Sequence, residues 1–328
     1  MMGDSLNSDK VIFGQIVVGP PGSGKTTYCS TIHKFLNKLG RKTFIVNLDP
    51  GNDVSLPYKP DIDVTQLISL EQSMKECNLG PNGGLIYCIE YLETNLDWLI
   101  DRIRQICFND SDGNTSDKPS YPYLIFDSPG QVELYVHNKS LKNIITNLTR
   151  RIVNGFDLRL TSVNLVDSYY ANDPGKFISA LLNSLATMLH LELPHVNILS
   201  KVDLIEKFGP IRFNIDYYCE VMDLKYLIDQ MIDDPFLEKH KKLSQSIADV
   251  IESYGLVSFV PLDINDPKTM VKVMRLIDKA NGHFLMDIET EEKVQEIYES
   301  TQKAEFDYAK YMTIRERLIN SEDIGNSS

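Results

Sequence analysis

The sequence is short of positive charge, short of cysteine and without any long apolar run. Its 33 Lys and Arg stand against 46 Asp and Glu, a formal net charge of −13. That balance excludes a chain whose whole surface binds nucleic acid through phosphate contacts, leaving only local basic patches. The five cysteines, Cys29, Cys77, Cys88, Cys107 and Cys219, are odd in number, scattered and never spaced as C-x-x-C. Such usage argues against a disulfide framework and a zinc site, and suits reduced thiols in the cytosol or nucleus. No stretch approaches the roughly 20 apolar residues that cross a bilayer, and Met1 to Lys10 lacks the apolar core of a signal peptide. The expectation is a soluble cytoplasmic chain with no membrane and no direct nucleic-acid contact. Tryptophan is nearly absent as well, and Trp98, on a helical apolar face, reads as core.

What the sequence does have is an ordinary globular composition, 42% hydrophobic and 24% charged over 328 residues. That is enough for one large α/β domain with additions, or for two domains. Residues 1–10 read as a mobile leader. Gly19-Pro20-Pro21-Gly22-Ser23-Gly24-Lys25-Thr26 fits G-x-x-x-x-G-K-[ST], a loop whose backbone N–H groups cradle nucleotide phosphates. An apolar strand, Val11 to Val18, feeds it, and Thr27 to Leu39 follows with apolar residues at helical spacing. Gly22, Ser23, Gly24, Lys25, Thr26 and Thr27 are therefore candidate phosphate ligands. Lys25 would reach the β- and γ-phosphates, and the Thr26 hydroxyl would ligate Mg²⁺.

Further strands end in polar residues, where an α/β sheet places its ligands. Lys42 to Leu48 ends in Asp49-Pro50, and Asp49 reads as a site residue more readily than as a turn former. Tyr123 to Phe126 ends in Asp127-Ser128-Pro129-Gly130-Gln131, the pattern of a nucleotide switch. There Asp127 would hold the metal, the Gly130 N–H would meet the γ-phosphate, and Gln131 would orient the attacking water. His195 to Leu199 ends in Ser200-Lys201-Val202-Asp203, in which the carboxylate would accept two N–H bonds from a guanine edge. The stretch 61–107 reads as two helical pieces separated by Leu79-Gly80-Pro81-Asn82-Gly83-Gly84, more punctuation than a helix turn needs. Residues 109–120 read as a disordered polar insert and 204–255 as a charged helical insertion. Helical pattern separates every pair of neighbouring strands, so the expected fold is α/β. It is a P-loop NTPase with a doubly wound, mostly parallel sheet flanked by helices, without an antiparallel pair at the second and third strands.

With these motifs in this order, residues 11–283 resemble the GPN-loop GTPase family. The resemblance rests on Gly19 to Tyr28, Asn47-Leu48-Asp49-Pro50, Leu79 to Leu99, Phe126 to Leu134 and Asp157 to Glu206. It implies a GTPase that uses GTP/GDP and Mg²⁺ and acts as a dimer, with itself or with a paralogous GPN-loop GTPase. It also implies that the loop Gly80, Pro81, Asn82 sends Asn82 toward the partner's γ-phosphate, a neutral donor where other switches use an arginine. A role in assembling RNA polymerase and importing it into the nucleus, with polymerase subunits as client and shuttling of the chain, comes from the resemblance alone.

Two departures stand out. Ser200 occupies the place of the asparagine in the commonest guanine motif, so guanine preference rests more on Asp203. Pro261-Leu262-Asp263 matches the closing loop only loosely. Residues 286–328 read as a C-terminal helical segment and tail, outside the resemblance. The spacing does not choose between Asp49 and Gln131 as the residue that positions water. Two rival classes remain in view: a P-loop small-molecule kinase or ATPase, and an adaptor for which nucleotide is only a timing ligand.

Overall fold

The computed structural model describes residues 10–51, 56–108, 121–150, 155–208, 211–221, 223–229 and 235–283. The expected leader apart from Lys10, the insert 109–120, the segment 286–328 and parts of the insertion 204–255 lie outside the described residues.

One seven-stranded sheet runs in the order β3-β2-β4-β1-β5-β6-β7. Its strands are β1 (Val11–Val18), β2 (Thr43–Asn47), β3 (Ile62–Asp63), β4 (Tyr123–Asp127), β5 (Asp157–Asp167), β6 (His195–Ser200) and β7 (Phe259–Leu262). The pairs β1–β4, β2–β4, β2–β3 and β6–β7 are all parallel. The sheet is therefore wound as expected, and no antiparallel pair occurs at β2. Every residue of β1 and β4 is buried, which is why both read as nearly continuous apolar runs rather than alternating ones, interrupted by Gln15 in β1 and ended by Asp127 in β4. Gly14 in β1 is the exception in size. A Cβ there would sit 2.7 Å from the Leu124 carbonyl oxygen, so β1 and β4 pair only because that side chain is missing.

The helices are α1 (Lys25–Lys38), α2 (Leu70–Cys77), α3 (Pro81–Thr94), α4 (Leu96–Phe108), α5 (Glu133–Val136) and α6 (Lys139–Leu148). The later ones are α7 (Pro174–Leu191), α8 (Ile215–Glu220), α9 (Leu224–Asp229), α10 (Pro235–Tyr254) and α11 (Pro267–Asn281). Three expectations about helices need correction. The first helical piece of 61–107 does not start as a helix: Ile62–Asp63 is the edge strand β3, Val64–Gln66 is a short 3-10 turn, and α2 begins only at Leu70. The second helical piece of 61–107 is broken at Asn95, where the chain leaves helical geometry (φ −106°, ψ 34°), giving α3 and α4. Over the described part of the helix expected at 132–153, up to residue 150, there are two helices, because the Asn138 side chain accepts the Ser140 N–H at 2.6 Å and starts α6 afresh.

The chain divides into two compact units. Of the described residues, the first holds those within 10–163, 190–195 and 277–283, and the second those within 164–189 and 196–276, with the division falling inside β5. The first has a core built from β1, β2 and β4 with α3, α4 and α6; Trp98 packs against it, partly buried, as its apolar face implies. The second has its own core around Phe177, Leu181, Tyr218, Leu227 and Phe259. Among the described residues no helix is long and apolar enough to cross a membrane.

Candidate functional site

Parallel pairing brings three strand ends of the first unit level with one another. Asp127, the last residue of β4, stands opposite Val17 of β1 on one side and Asn47 of β2 on the other. The chain leaves β1 into the phosphate loop within two residues, and leaves β2 into Leu48 and Asp49, whose entry is pinned by the Leu48 N–H bond to the Asp127 carbonyl at 2.8 Å. Residues far apart in the chain, Gly19 to Thr26, Asp49 and Asp127 to Gln131, thus share one edge of the sheet.

The loop after β1 turns on glycines. Gly19, Gly22 and Gly24 have φ of 142°, 77° and 94°, a region that side chains disfavour. Gly24 caps α1 and offers no side-chain acceptor, and the first turn of α1 holds no acidic residue. Its N–H groups are consequently left for an anion. Contrast α2, whose Ser69 and Gln72 satisfy each other's backbone N–H groups in a capping box. Lys25 is buried, its ammonium donating to the Gly19 and Pro20 carbonyls at 2.9 and 3.0 Å. Burial pulls its pKa down, while the nearby Asp127 and Asp49 carboxylates oppose that shift. Gly130 closes against the same loop: a Cβ there would lie 3.2 Å from Lys25 Nζ and 3.3 Å from Pro21 Cα.

Asp127 is fully buried. Its Oδ2 accepts a hydrogen bond from the Tyr58 hydroxyl at 2.6 Å, while its Oδ1 is buried with no hydrogen-bond partner. Burial raises the carboxyl's pKa, and the Tyr58 and Thr26 hydroxyls pull it back down. A buried carboxylate with one unpartnered oxygen beside a threonine hydroxyl is a donor set suited to a hard divalent cation that keeps its other positions for water and phosphate. Among the described residues no cluster of three or more His, Cys, Asp or Glu makes an all-protein metal cage. Burial, with Asp127 beside it, pushes the Cys29 thiol well up, so that cysteine is no nucleophile.

Asp49 lies at this edge too. Its Oδ1 accepts the Gly51 N–H at 2.9 Å, and its own N–H donates to Asn47 Oδ1 at 3.1 Å. Gln131 is half-buried immediately after Gly130. Neither arrangement singles one of them out as the water's partner.

Gly80 and Pro81 open α3: Gly80 is the extended N-cap and Pro81 the first helical residue, where its missing N–H costs nothing. Asn82 is exposed on the first turn. The glycines have separate causes. A Cβ at Gly84 would come within 2.8 Å of Leu70 Cδ1 and 3.0 Å of Ser73 Oγ, so Gly84 lets α2 and α3 pack; Gly80 faces open space and carries no such packing demand.

The second unit holds the remaining predicted residues. Ser200, buried at the end of β6, donates its hydroxyl to the Val166 carbonyl at 3.1 Å. Lys201 has a left-handed backbone (φ 58°), a strained conformation for a non-glycine residue, and its ammonium pairs with Asp167 Oδ2 at 2.7 Å. Asp203 is exposed in the short 3-10 turn that follows; partial burial, then the nearby Asp263, raises its pKa.

Sequence reasoning missed two side chains that bond predicted site residues, Asp167 and Tyr58, and the inert thiol of Cys29 beside Asp127. Asp167 ends an apolar strand, so the rule that picked out Asp49 applied to it equally. Cys29 lies one helical turn beyond Lys25 and Thr26, a spacing that puts it on their face. Tyr58 carried no signal; it reaches Asp127 across 69 residues of sequence.

Residues 17–283 match a family model described as a conserved hypothetical ATP binding protein. The chain is 48% identical over 309 residues to GPN-loop GTPase 2 of Danio rerio, covering 94% of this chain and 93% of that protein. It is 44% identical to GPN-loop GTPase QQT1 of Arabidopsis thaliana, over 96% of this chain and 99% of that one. With GPN-loop GTPase 2 of Saccharomyces cerevisiae it shares 40% identity over 83% and 75% of the two chains. Among solved structures, an apo-form GTPase from Pyrococcus abyssi superposes with a TM-score of 0.61 at 23% identity, covering 82% of this chain and 97% of that one. That likeness is one of fold.

Proposed function

The chain belongs to the GPN-loop GTPase family and is a GTPase, and we propose that it works as a magnesium-dependent switch completed by a second chain. The backbone N–H groups of Gly22 to Thr27 and the Lys25 ammonium bind the phosphates of GTP and GDP. Thr26 and Asp127 would hold the cation, which would supply positive charge against the phosphates. The Gly130 N–H senses the γ-phosphate, and either Asp49 or Gln131 orients the water that attacks it. Asn82 donates a hydrogen bond into the partner chain's site, stabilising charge that develops on the transferred phosphoryl oxygens. Asp203 accepts from the guanine edge, with Lys201 covering the base and Ser200 contributing to nucleotide binding from the place of the motif's asparagine.

The observation that carries this reading is Asp127, a fully buried carboxylate level with the phosphate loop whose Oδ1 has no partner. Phosphate release from GTP and from ATP, with and without Mg²⁺ and over a range of protein concentrations, tests it. The expected result is a preference for GTP, loss of activity when Mg²⁺ is removed, and specific activity that rises with protein concentration. Equal use of GTP and ATP would overturn the role of Asp203. Activity independent of concentration in a chain that sizes as a monomer would overturn the role of Asn82.

Partner and client follow from the family resemblance. The second chain is a copy of this one or a paralogous GPN-loop GTPase, and the switch serves RNA polymerase assembly and import, the chain shuttling between cytoplasm and nucleus. Depleting the chain and following nuclear entry of RNA polymerase subunits tests this; unchanged entry would refute it.

A further inference from the structure

A carboxylate at the end of a strand can turn about its last torsion between two broadly equivalent orientations. At Asp127 one orientation is selected. Tyr58 donates to Oδ2 at 2.6 Å, which leaves Oδ1 as the buried oxygen with no partner. A carboxylate oxygen only accepts, so in this contact the phenol is the donor.

Tyr58 is itself held in place from the same helix that carries Thr26. Ser30 of α1, buried, donates its hydroxyl to the Pro57 carbonyl at 3.2 Å, fixing the residue before Tyr58. One helix therefore supplies both the Thr26 hydroxyl and the anchor for the residue that aims Asp127. Tyr58 also lines a cavity of about 650 Å³ beside α1, together with His33, Lys34 and Lys59. None of the predicted site residues lines that cavity. A phenylalanine at 58 would keep the ring and its contacts and remove only the hydroxyl that faces Asp127.

We propose that Tyr58 is a positioning residue for divalent-cation binding: its hydroxyl fixes the Asp127 carboxylate so that Oδ1 is presented to the cation. This rests on the reading of Thr26 and Asp127 as the cation's protein ligands. Partners that orient a metal-binding carboxylate from behind commonly matter 10- to 100-fold in metal affinity. The opposite role makes the opposite prediction. A hydroxyl that merely competed with the cation for Asp127 would, on removal, let the cation bind more tightly.

The test uses the full chain loaded with a fluorescent GDP analogue, whose release is followed as free Mg²⁺ is varied. In Tyr58→Phe the Mg²⁺ concentration that half-maximally slows release should rise about tenfold or more, while release without Mg²⁺ stays as in the unmodified chain. Asp127→Asn should raise it at least as far. If Asp127→Asn is impaired but Tyr58→Phe responds to Mg²⁺ normally, or more tightly, the positioning role is overturned and the metal pair survives. If Asp127→Asn itself responds normally, the metal pair is overturned. Thermal melting checks that Tyr58→Phe is folded. Should it not be, Ser30→Ala carries the test, since loss of the Pro57 anchor should raise the Mg²⁺ requirement in the same direction, and an unchanged requirement would overturn the proposal.

Discussion

Two adjacent glycines at the start of α3 are expected to answer substitution with opposite signs. A Cβ at Gly84 would lie 2.8 Å from Leu70 Cδ1, 3.0 Å from Ser73 Oγ and 3.1 Å from Met74 Cγ, all on α2. A Cβ at Gly83 would meet only Leu79, at 3.6 and 3.7 Å, which is ordinary contact. Neither glycine has a positive φ, so backbone strain does not separate them. Alanine is favoured over glycine in a helix by about 1 kcal/mol, and it also restricts the unfolded chain. Gly83→Ala should therefore stabilise by about 0.5–1 kcal/mol. Gly84→Ala gains the same preference but must push α2 aside, an overpacking cost of about 1–3 kcal/mol, for a net loss of about 0–2 kcal/mol. Trp98, on α4 and packed against the core of the first unit, reports unfolding of that unit in urea. The unfolding midpoint should fall in the order Gly83→Ala, unmodified chain, Gly84→Ala. Displacing α3 also moves Asn82, so Gly84→Ala should slow GTP hydrolysis with nucleotide affinity little changed. A Gly84→Ala chain as stable as Gly83→Ala would refute the argument that the α2–α3 contact requires glycine.

Three further outcomes are expected. Asp203→Asn should reduce the preference for GTP over ATP about 10- to 100-fold, as measured by competition for a fluorescent nucleotide, because charge-assisted hydrogen bonds to the base are lost. Cys77 is exposed and the other four cysteines are buried, so a thiol reagent should label one site quickly in the native chain and five after denaturation; burial pushes Cys107 and Cys219 up to about 12, which suppresses their thiolates further. Asp278→Ala should cost the first unit about 3–5 kcal/mol in urea unfolding. It removes the carboxylate that the buried Arg41 guanidinium grips through both oxygens at 2.9 and 2.6 Å.

Much of the phosphate half of the site is legible in the sequence, because its parts are local. Gly19 to Thr26 encodes a strand, a turn that only glycine tolerates and a helix start without a side-chain cap, all within a few residues. Apolar runs ending in Asp49, Asp127 or Ser200 to Asp203 announce buried parallel strands and the edge at which ligands collect. Breaks that depend on one side chain's hydrogen bond, such as the fresh start of α6 at Asn138, leave only a faint trace in periodicity.

By itself, then, the sequence determined the class of fold, the phosphate loop and the family, since each is written in contiguous motifs and in the spacing between them. Only the tertiary structure decided which oxygen of Asp127 is buried without a hydrogen-bond partner, that Tyr58 takes the other, that Lys201 is paired with Asp167, and why Gly84 is glycine while Gly80 meets nothing. Each of these depends on distances between residues remote in the chain. Such distances are set by strand register and helix packing, which no single segment encodes alone.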